Sequence, residues 1–303
     1  MKISVLTPTY NRAELLGMLY KSLIKNKDYG LDIEWLIMDD GSNDNTKEVI
    51  KDFEKENKIQ IKYYYQENQG KMVGINNLIT KSEGELIVIC DSDDFFTDNA
   101  FKIIKETFEK NPNNNKKYYA MCFLKYDTNG NNMGKLFKNS ETTMFDLYFK
   151  EGEDGEKSLV YYSDIRKKYK HELEEKERFI TEARMYHKMD EEYKILCINE
   201  PIMICEYQEE GYTKNIIKQF KANPYGYYKY FQEILQKNMK GVIFKKRLYA
   251  IKHYILFSVL TKNKKNVKKI RDISNKLIYS VLYIPGVIKT KLLFNHKIWI
   301  MDE

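Results

Sequence analysis

The chain has 303 residues, of which 31% are charged and 43% are hydrophobic, and its formal net charge is +7. A chain of this length buries about three quarters of the surface that it exposes when unfolded. The composition argues against intrinsic disorder, collagen-like repeats and a polytopic membrane protein, so we expect a globular protein.

The charge is distributed unevenly along the chain. Residues 213–303 contain 20 lysines and arginines against four acidic residues, whereas residues 1–212 carry a net charge of −9. Such asymmetry predicts an acidic part able to hold a cation and a basic part able to meet an anionic surface. We therefore predict a first domain at 1–212 and a second region at 213–303.

The N-terminus and the cysteines favour a cytoplasmic location. An apolar segment follows Met1 with no basic region and no small-residue cleavage site, so no secretory signal is recognised. The four cysteines, Cys90, Cys122, Cys197 and Cys205, are too scattered for a disulfide framework or a zinc site. Reduced thiols are expected.

Strand and helix patterns alternate through the first 110 residues. Short apolar runs predict strands, and apolar stripes at helical spacing predict helices. The strands are predicted at 3–7, 33–38, 59–65 and 86–90, and the helices at 13–25, 43–56, 71–82 and 99–110. Repeated strand–helix units imply an α/β fold with a largely parallel sheet and helices on both faces.

The pattern changes after Pro112. The following elements are predicted to be strands at 118–126 and 159–162, a charged helix at 172–188 and a strand-like segment at 195–207. The strands complete the sheet in a mixed sense. A mostly helical, basic region is predicted at 216–291. Its longest uncharged run, 277–288, is shorter than the roughly 20 apolar residues that span a bilayer, so no spanning helix is expected.

Polar loops follow the four N-terminal strands, at the edge where α/β sheets bind ligands. Asp91, Asp93 and Asp94 directly follow a buried strand. Crowded carboxylates repel each other unless a cation lies between them, and hard oxygen ligands suit Mg²⁺ or Mn²⁺. For Asp94 the alternative is a helix N-cap.

A second acidic pair, Asp39 and Asp40, ends the neighbouring strand. Such carboxylates can accept hydrogen bonds from a base and a ribose hydroxyl, or they form a plain turn. Neither a Gly-x-Gly-x-x-Gly after the first strand nor a Gly-x-x-x-x-Gly-Lys-Ser/Thr segment is present in the sequence. The dinucleotide-binding and P-loop classes therefore lack their phosphate cradles.

Four blocks of sequence resemble a known family. They are Val5-Leu6-Thr7-Pro8-Thr9-Tyr10-Asn11-Arg12, Asp39-Asp40-Gly41-Ser42 with Asp44, Asn68-Gln69-Gly70-Lys71 with Asn76, and Gly84-Glu85 with Asp91-Ser92-Asp93-Asp94. In order and approximate spacing, the blocks resemble those of family 2 inverting glycosyltransferases of the Rossmann-like GT-A fold. The resemblance implies a metal-dependent enzyme that moves a sugar from a UDP-sugar to a hydroxyl acceptor in surface polysaccharide or glycoconjugate synthesis.

The resemblance also implies roles for individual residues. Asp91-Ser92-Asp93 becomes the DxD motif, in which Asp93 is the main ligand of Mn²⁺ or Mg²⁺ and Asp91 contacts the metal and the ribose. Asp40 is expected to bind the edge of the uracil base. The full set expected to bind the nucleotide is Thr7, Pro8, Thr9, Tyr10, Arg12, Asp39, Asp40, Lys71, Asp91 and Ser92.

The resemblance also implies a general base, a carboxylate in a Glu-Asp motif at the start of a later helix. This chain lacks the aspartate of that motif. The candidates, in order of preference, are Glu177, Glu175 and Glu182. The alternative for these glutamates is a solvated helix with ion pairs four residues apart.

Roles are also predicted for a loop and for the basic C-terminal region. Residues 207–214 resemble the loop that closes over the donor, with Lys214 reaching the diphosphate, and an ordinary linker is the alternative. The basic region with Lys245, Lys246 and Arg247 is expected on an anionic membrane surface at the inner face of the cell membrane, or as a lid or homodimer interface. No nucleic-acid recognition motif accompanies the charge, so nucleic acid is not an expected partner.

The acceptor is expected to be a glycan or a lipid-linked glycan. Two other functions stay open. A nucleotidyltransferase would need a basic, glycine-rich loop after the first strand, and residues 7–12 contain none. The other alternative is a catalytically inactive sugar-nucleotide binder or membrane scaffold.

Overall fold

A mixed sheet of nine strands runs through the residues that this computed structural model describes, which are 1–206, 215–263 and 267–295. The strands are β1 (Lys2–Thr9), β2 (Asp32–Asp39), β3 (Gln60–Tyr65), β4 (Leu86–Ile89), β5 (Asp94–Phe96), β6 (Tyr118–Asp127), β7 (Glu141–Thr142), β8 (Lys157–Tyr162) and β9 (Lys194–Cys205). Their order is β3-β2-β1-β4-β8-β6-β9-β5, and β7 pairs with β9. The first four are mutually parallel, whereas β8 runs antiparallel to both β4 and β6. The predicted mixed α/β sheet is confirmed.

Helices flank this sheet and continue beyond it. They are α1 (Leu16–Asn26), α2 (Thr46–Glu56), α3 (Lys71–Lys81), α4 (Ala100–Lys110), α5 (Met144–Phe149), α6 (Ser163–Arg166), α7 (Ala183–Met189), α8 (Ile216–Ala222), α9 (Pro224–Gln236), α10 (Phe244–Leu260) and α11 (Ile273–Asn295). The four helices predicted before residue 110 are confirmed. α1 starts three residues later than predicted because the backbone N–H of Leu15 bonds to Arg12 and that of Ala13 bonds to Asp44.

The parallel strands bring four loops to one edge of the sheet. Ile3, Val5 and Leu6 on β1 are fully buried, as expected for a strand covered on both faces. In the register of the sheet, Thr9 pairs with Asp39, and Asp39 pairs with Tyr65. The loops that follow β1, β2, β3 and β4 therefore leave the sheet side by side.

The predicted helix at 172–188 is wrong over its first half. Only Ala183–Met189 is helical, and Lys176 has a positive φ of 67°, which is incompatible with a continuous helix. Glu177 and Glu182 of this segment hold tertiary partners, described below, instead of pairing along a solvated helix.

The C-terminal helices form a second apolar core, which confirms the predicted helical region. Phe145 and Phe149 of α5 pack there with Phe231 and Phe257, so this core is continuous with the first part of the chain. The boundary predicted between residues 212 and 213 lies outside the described residues and stays a prediction.

The final described helix, α11, corrects one expectation. By length and composition alone, Ile273–Phe294 would suffice to cross a membrane. The helix continues through Pro285, and single lysines interrupt its apolar sequence without ending it. Requiring a run with no charged residue was therefore too strict a criterion for a helix that is long and apolar enough to cross a membrane.

A buried carboxylate joins three strands at some distance from the loop edge. Glu34 of β2 is fully buried and accepts hydrogen bonds from Ser4 Oγ at 2.5 Å, Lys62 Nζ at 2.9 Å and the backbone N–H of Glu83 at 2.6 Å. Burial by itself raises the pKa of Glu34, but these donors outweigh it and lower the pKa to about 2. The charged form is therefore the one that the folded state holds.

We expect Glu34→Gln to remove a pH-dependent part of the stability. A carboxylate with a lowered pKa stabilises the fold above its unfolded pKa of about 4.3, and this contribution disappears as the pH falls towards 2. The variant should unfold more easily by about 3 kcal/mol at pH 7, and its difference from the wild type should vanish near pH 2. Urea unfolding between pH 2 and pH 7 measures this; equal pH dependence in both proteins would contradict it.

Candidate active site

A cavity of about 1520 Å³ opens at the loop edge of the sheet. Nine of the residues expected at the nucleotide or metal line it: Pro8, Thr9, Tyr10, Arg12, Asp40, Lys71, Asp91, Ser92 and Asp93. Thr7, Asp39, Glu175 and Glu177 do not line this cavity. Lys214 lies outside the described residues.

Thr7 and Asp39 serve the framework beneath the cavity. Thr7 is fully buried, and its hydroxyl accepts a hydrogen bond from the indole N–H of Trp35 at 2.9 Å. Asp39 accepts hydrogen bonds from the backbone N–H of Ser42 and from the hydroxyl of Tyr63, both at 2.8 Å. Each side chain thus fixes a strand end or a turn.

Asp40 organises the loop between β3 and α3. Its carboxylate accepts hydrogen bonds from Gln66 Nε2 at 2.7 Å and from the backbone N–H groups of Gln69 and Gly70, both at 2.8 Å. Gly70 has a φ of 96°, and a Cβ there would lie 2.2 Å from the carbonyl oxygen of Arg178. Only glycine permits this approach, which brings the loop against the segment before α7.

The acidic cluster after β4 is held by three cations of the chain itself. Arg12 Nη1 lies 2.5 Å from Asp93 Oδ2, and Lys71 Nζ lies 2.7 Å from Asp91 Oδ2. Asp94 begins β5, and its carboxylate lies 2.8 Å from Lys125 Nζ, so it is not a helix cap. Side-chain cations therefore already relieve the repulsion between these carboxylates.

Asp91 and Asp93 nevertheless fit a divalent cation. Asp91 Oδ1 is buried and has no hydrogen-bond partner, which is unfavourable for a carboxylate oxygen. Within the described parts of the chain, no three His, Cys, Asp or Glu side chains form a group that could hold a metal. Mg²⁺ and Mn²⁺ sites at phosphates need only one or two carboxylates, because waters and phosphate oxygens complete the coordination.

Glu177 connects the segment before α7 to the start of α9. Its two carboxylate oxygens accept hydrogen bonds from the backbone N–H groups of Tyr225 at 2.6 Å and Gly226 at 2.7 Å. These N–H groups belong to the first turn of α9 and have no partner within that helix. Burial raises the pKa of Glu177 although both bonds favour its charged form. Glu175 is exposed.

Asn223 makes the reciprocal contact. Its side-chain oxygen accepts hydrogen bonds from the backbone N–H groups of Arg178 at 2.9 Å and Phe179 at 3.0 Å. The guanidinium of Arg178, on the cavity wall, donates to Asn68 Oδ1 at 3.1 Å. The segment 177–182 is thus held between α9 on one side and the Asn68–Gly70 loop on the other.

This segment delivers Glu182 to the cavity. Glu182 Oε1 lies 3.2 Å from Lys71 Nζ, and Oε2 accepts a hydrogen bond from the hydroxyl of Tyr186 at 2.5 Å. Burial alone raises the pKa of Glu182, but the charge of Lys71 outweighs burial and lowers the pKa to about 2. Burial alone lowers the pKa of Lys71, but the charges of Asp91 and Glu182 outweigh it and raise that pKa. Glu182, third among the glutamates considered from sequence, is the one of the three that lines the cavity.

Asn76 and His171 support this arrangement from behind. The side-chain amide of Asn76 exchanges two hydrogen bonds with the backbone of His171, both at 2.9 Å. The His171 ring lies beside Arg166, with its Nε2 at 3.2 Å from Nη2. Burial first, and then the charge of Arg166, lower the pKa of His171 to about 3, so the ring is neutral at physiological pH. Asn76 thereby fixes the chain that leads to Glu182.

The C-terminal helices supply one wall of the cavity. Tyr230 of α9 and Lys245, Lys246 and Tyr249 of α10 face it. Lys246 is ion-paired with Asp154, which also lines the cavity. No motif marks these residues, because their place depends on how α9 and α10 pack on α5.

The fold and this rim of aspartates define a GT-A domain, and comparison with known proteins agrees. Residues 4–152 match the profile of glycosyl transferase family 2. This match to glycosyl transferase family 2 confirms the resemblance seen in the motifs.

Relatives and solved structures extend the comparison. An uncharacterised glycosyltransferase of Mycoplasma genitalium is 37% identical over 131 residues, 42% of each chain. A Campylobacter jejuni GalNAc(5)-diNAcBac-PP-undecaprenol β-1,3-glucosyltransferase is 39% identical over 95 residues, 31% of this chain and 30% of its own. The matches thus span about two fifths or less of these relatives' lengths.

Two solved structures share the fold over nearly the whole chain. Staphylococcus aureus TarS (1–349) in complex with UDP-GlcNAc matches 96% of this chain and 81% of its own, with a TM-score of 0.59 and 18% identity. The Pyrobaculum calidifontis mannosyltransferase PcManGT in complex with GDP-Man and Mn²⁺ matches 97% and 88%, with a TM-score of 0.57 and 13% identity. The expected GT-A fold with a helical C-terminal region is confirmed.

We expect Glu177→Ala to destabilise the fold by about 2 kcal/mol, because it removes the acceptor of two buried N–H groups at a helix start. Glu175→Ala is the matched control, since Glu175 is exposed, and should change stability by less than about 0.5 kcal/mol. Urea unfolding monitored by circular dichroism compares the two. Equal stabilities would show that Glu177 does not cap α9.

Proposed function

We propose that this chain is an inverting glycosyltransferase that moves a sugar from a UDP-sugar to an acceptor hydroxyl, with a divalent cation at Asp91 and Asp93. One observation carries the proposal: the candidate metal ligands and Glu182 lie on one cavity and are joined by Lys71, which contacts Asp91 and Glu182 at once. A carboxylate base and an electrostatic site for a leaving diphosphate are the two requirements of this reaction.

The nucleotide is proposed to bind over the loops that follow β1 and β2. Thr9 Oγ1 is buried on the cavity without a hydrogen-bond partner, and the ring of Tyr10 is exposed beside it. These groups offer a hydrogen bond and an aromatic face to a base. UDP as the nucleotide is supported by TarS, which was solved with UDP-GlcNAc and with UDP.

Arg12 and Lys71 are proposed to bind the diphosphate together with the cation. When bound, Mn²⁺ or Mg²⁺ neutralises the charge that grows on the leaving oxygen. When oxygens of the diphosphate bind Lys71, the ion pair between Lys71 and Glu182 weakens. Burial then raises the pKa of Glu182 towards a value suited to a base.

Glu182 is proposed as the general base in place of Glu177. It takes the proton of the acceptor hydroxyl while that oxygen attacks the anomeric carbon from the face opposite the departing UDP. Tyr186, by donating to Oε2, orients the carboxylate and leaves Oε1 towards Lys71. Glu177 is proposed to position the segment that carries this base.

The acceptor is proposed to enter along the wall formed by α9 and α10. Aromatic rings at Tyr230 and Tyr249 and cations at Lys245 and Lys246 suit a glycan or a lipid-linked glycan. The Campylobacter relative, whose name specifies an undecaprenol-linked acceptor, supports the lipid-linked choice. The proposed enzyme is cytoplasmic and acts in polysaccharide or glycoconjugate synthesis.

Asp93→Asn is expected to abolish the effect of Mn²⁺ on UDP affinity and to slow UDP release from a panel of UDP-sugars at least about 100-fold, because asparagine lacks the charge that holds the cation. Calorimetric titration of UDP with and without Mn²⁺ and an assay of released UDP measure the two effects. Asp98→Asn, at an exposed aspartate paired with Lys25, is the control and should behave as wild type. If Mn²⁺ leaves the wild-type affinity for UDP unchanged, the metal assignment fails.

Glu182→Gln is expected to slow sugar transfer by about 10²- to 10⁴-fold while UDP affinity is retained or increased, because Lys71 loses a competing partner. Hydrolytic release of UDP, in which water replaces the acceptor, allows the rate to be measured without a known acceptor. Glu175→Gln, which is exposed and off the cavity, should match the wild type. Undiminished release in Glu182→Gln would reject this base.

A further inference from the structure

The outer face of α11 is an uncovered apolar stripe. Six aliphatic side chains three or four residues apart are 55 to 75% exposed: Ile273, Leu277, Val281, Ile284, Ile288 and Leu292. This spacing places them on one side of a helix about 34 Å long. Apolar surface of this extent is unusual on a soluble monomer and indicates a binding surface.

The inner face of the same helix is already used. Asn275, Tyr279 and Thr290 are buried there, and Gly286 packs so closely on α10 that a Cβ would lie 2.8 Å from Ile255 Cγ2. Because the inner face packs against α10 and buries these polar groups, only the outer face of α11 is free to contact another apolar phase. The arrangement suits a helix lying along an interface rather than one surrounded by lipid.

The net charge of the C-terminal region indicates which partner the stripe binds. Residues 215–263 and 267–295 contain sixteen lysines and arginines and two acidic residues, Glu233 and Asp272. Glu233 lies 2.8 Å from Arg184, and Asp272 accepts a hydrogen bond from the first turn of α11 at the backbone N–H of Asn275. A second copy would bring a second strongly positive surface against the first. The partner must therefore combine an apolar phase with negative charge.

We propose that the outer face of α11 inserts into the interfacial layer of an anionic lipid bilayer. The apolar side chains enter the boundary between headgroups and acyl chains, while the exposed Lys291 at its C-terminal end contacts the anionic headgroups. This surface is independent of the sugar transfer proposed above, and its binding is measurable in a protein that turns over no substrate.

The test is sedimentation of the whole chain with vesicles of phosphatidylcholine alone or with 30% phosphatidylglycerol. Binding to the anionic vesicles is expected, with at least about fivefold weaker partitioning at 0.5 M than at 0.1 M NaCl. The triple variant Leu277→Gln, Val281→Gln, Ile284→Gln should partition at least about tenfold more weakly, because glutamine keeps helix propensity and removes the apolar contact.

A matched control carries the same number of changes elsewhere. Met18→Gln, Tyr65→Gln and Leu136→Gln alter three exposed apolar side chains of the GT-A domain that do not line the cavity, and binding should equal the wild type. Three results overturn the proposal: no binding to anionic vesicles, equal binding by the triple variant, or a dimer in sedimentation velocity that the triple variant dissociates. Nucleotide binding in all variants reports separately on the site.

Discussion

One ammonium group connects the two acidic walls of the cavity, and the arrangement of the site depends on it. Lys71 Nζ lies between Asp91 and Glu182, at 2.7 and 3.2 Å. The carboxylates of Asp91, Asp93 and Glu182 lie close together there and repel each other. The ion pairs with Lys71 and Arg12 offset this repulsion in the free protein. A donor diphosphate would compete for the same two cations, so donor binding and the activation of Glu182 are coupled in the proposed reaction.

Lys71 holds its place because backbone contacts on both sides fix its neighbours. Asp40 saturates its carboxylate with donors from the loop before α3, and this loop presents Gly70 to the carbonyl of Arg178. On the other side, Glu177 accepts hydrogen bonds from the first turn of α9, and Asn223 accepts them from the backbone that follows Glu177. A helix of the C-terminal region thus holds the segment that carries Glu182, which makes the basic region a structural part of the site and more than an appendage.

Local patterns were sufficient wherever a segment's own apolar periodicity decided its structure. The strands β1 to β4 and the helices α1 to α4 follow from apolar runs and stripes, because each of these elements buries its apolar side in the same core. The prediction of a helix at 172–188 was wrong because contacts distant in the sequence decide the structure of this segment. Its glutamates looked like a solvated helix, yet Glu177 binds backbone N–H groups nearly 50 residues later in the chain, and this long-range bond outweighs local helix propensity.

The sequence alone determined the α/β class, the order of the motif loops and the edge of the sheet at which these loops meet. This edge follows because neighbouring parallel strands end at the same side of the sheet. Only the tertiary structure decided which side chains reach the cavity. Thr7 and Asp39 turn into the framework, and Glu182 faces Lys71 while Glu177 caps a helix. The direction of a side chain depends on partners distant in the sequence. Such partners become neighbours only when β4, α7 and α9 have packed together, and no local pattern records that packing.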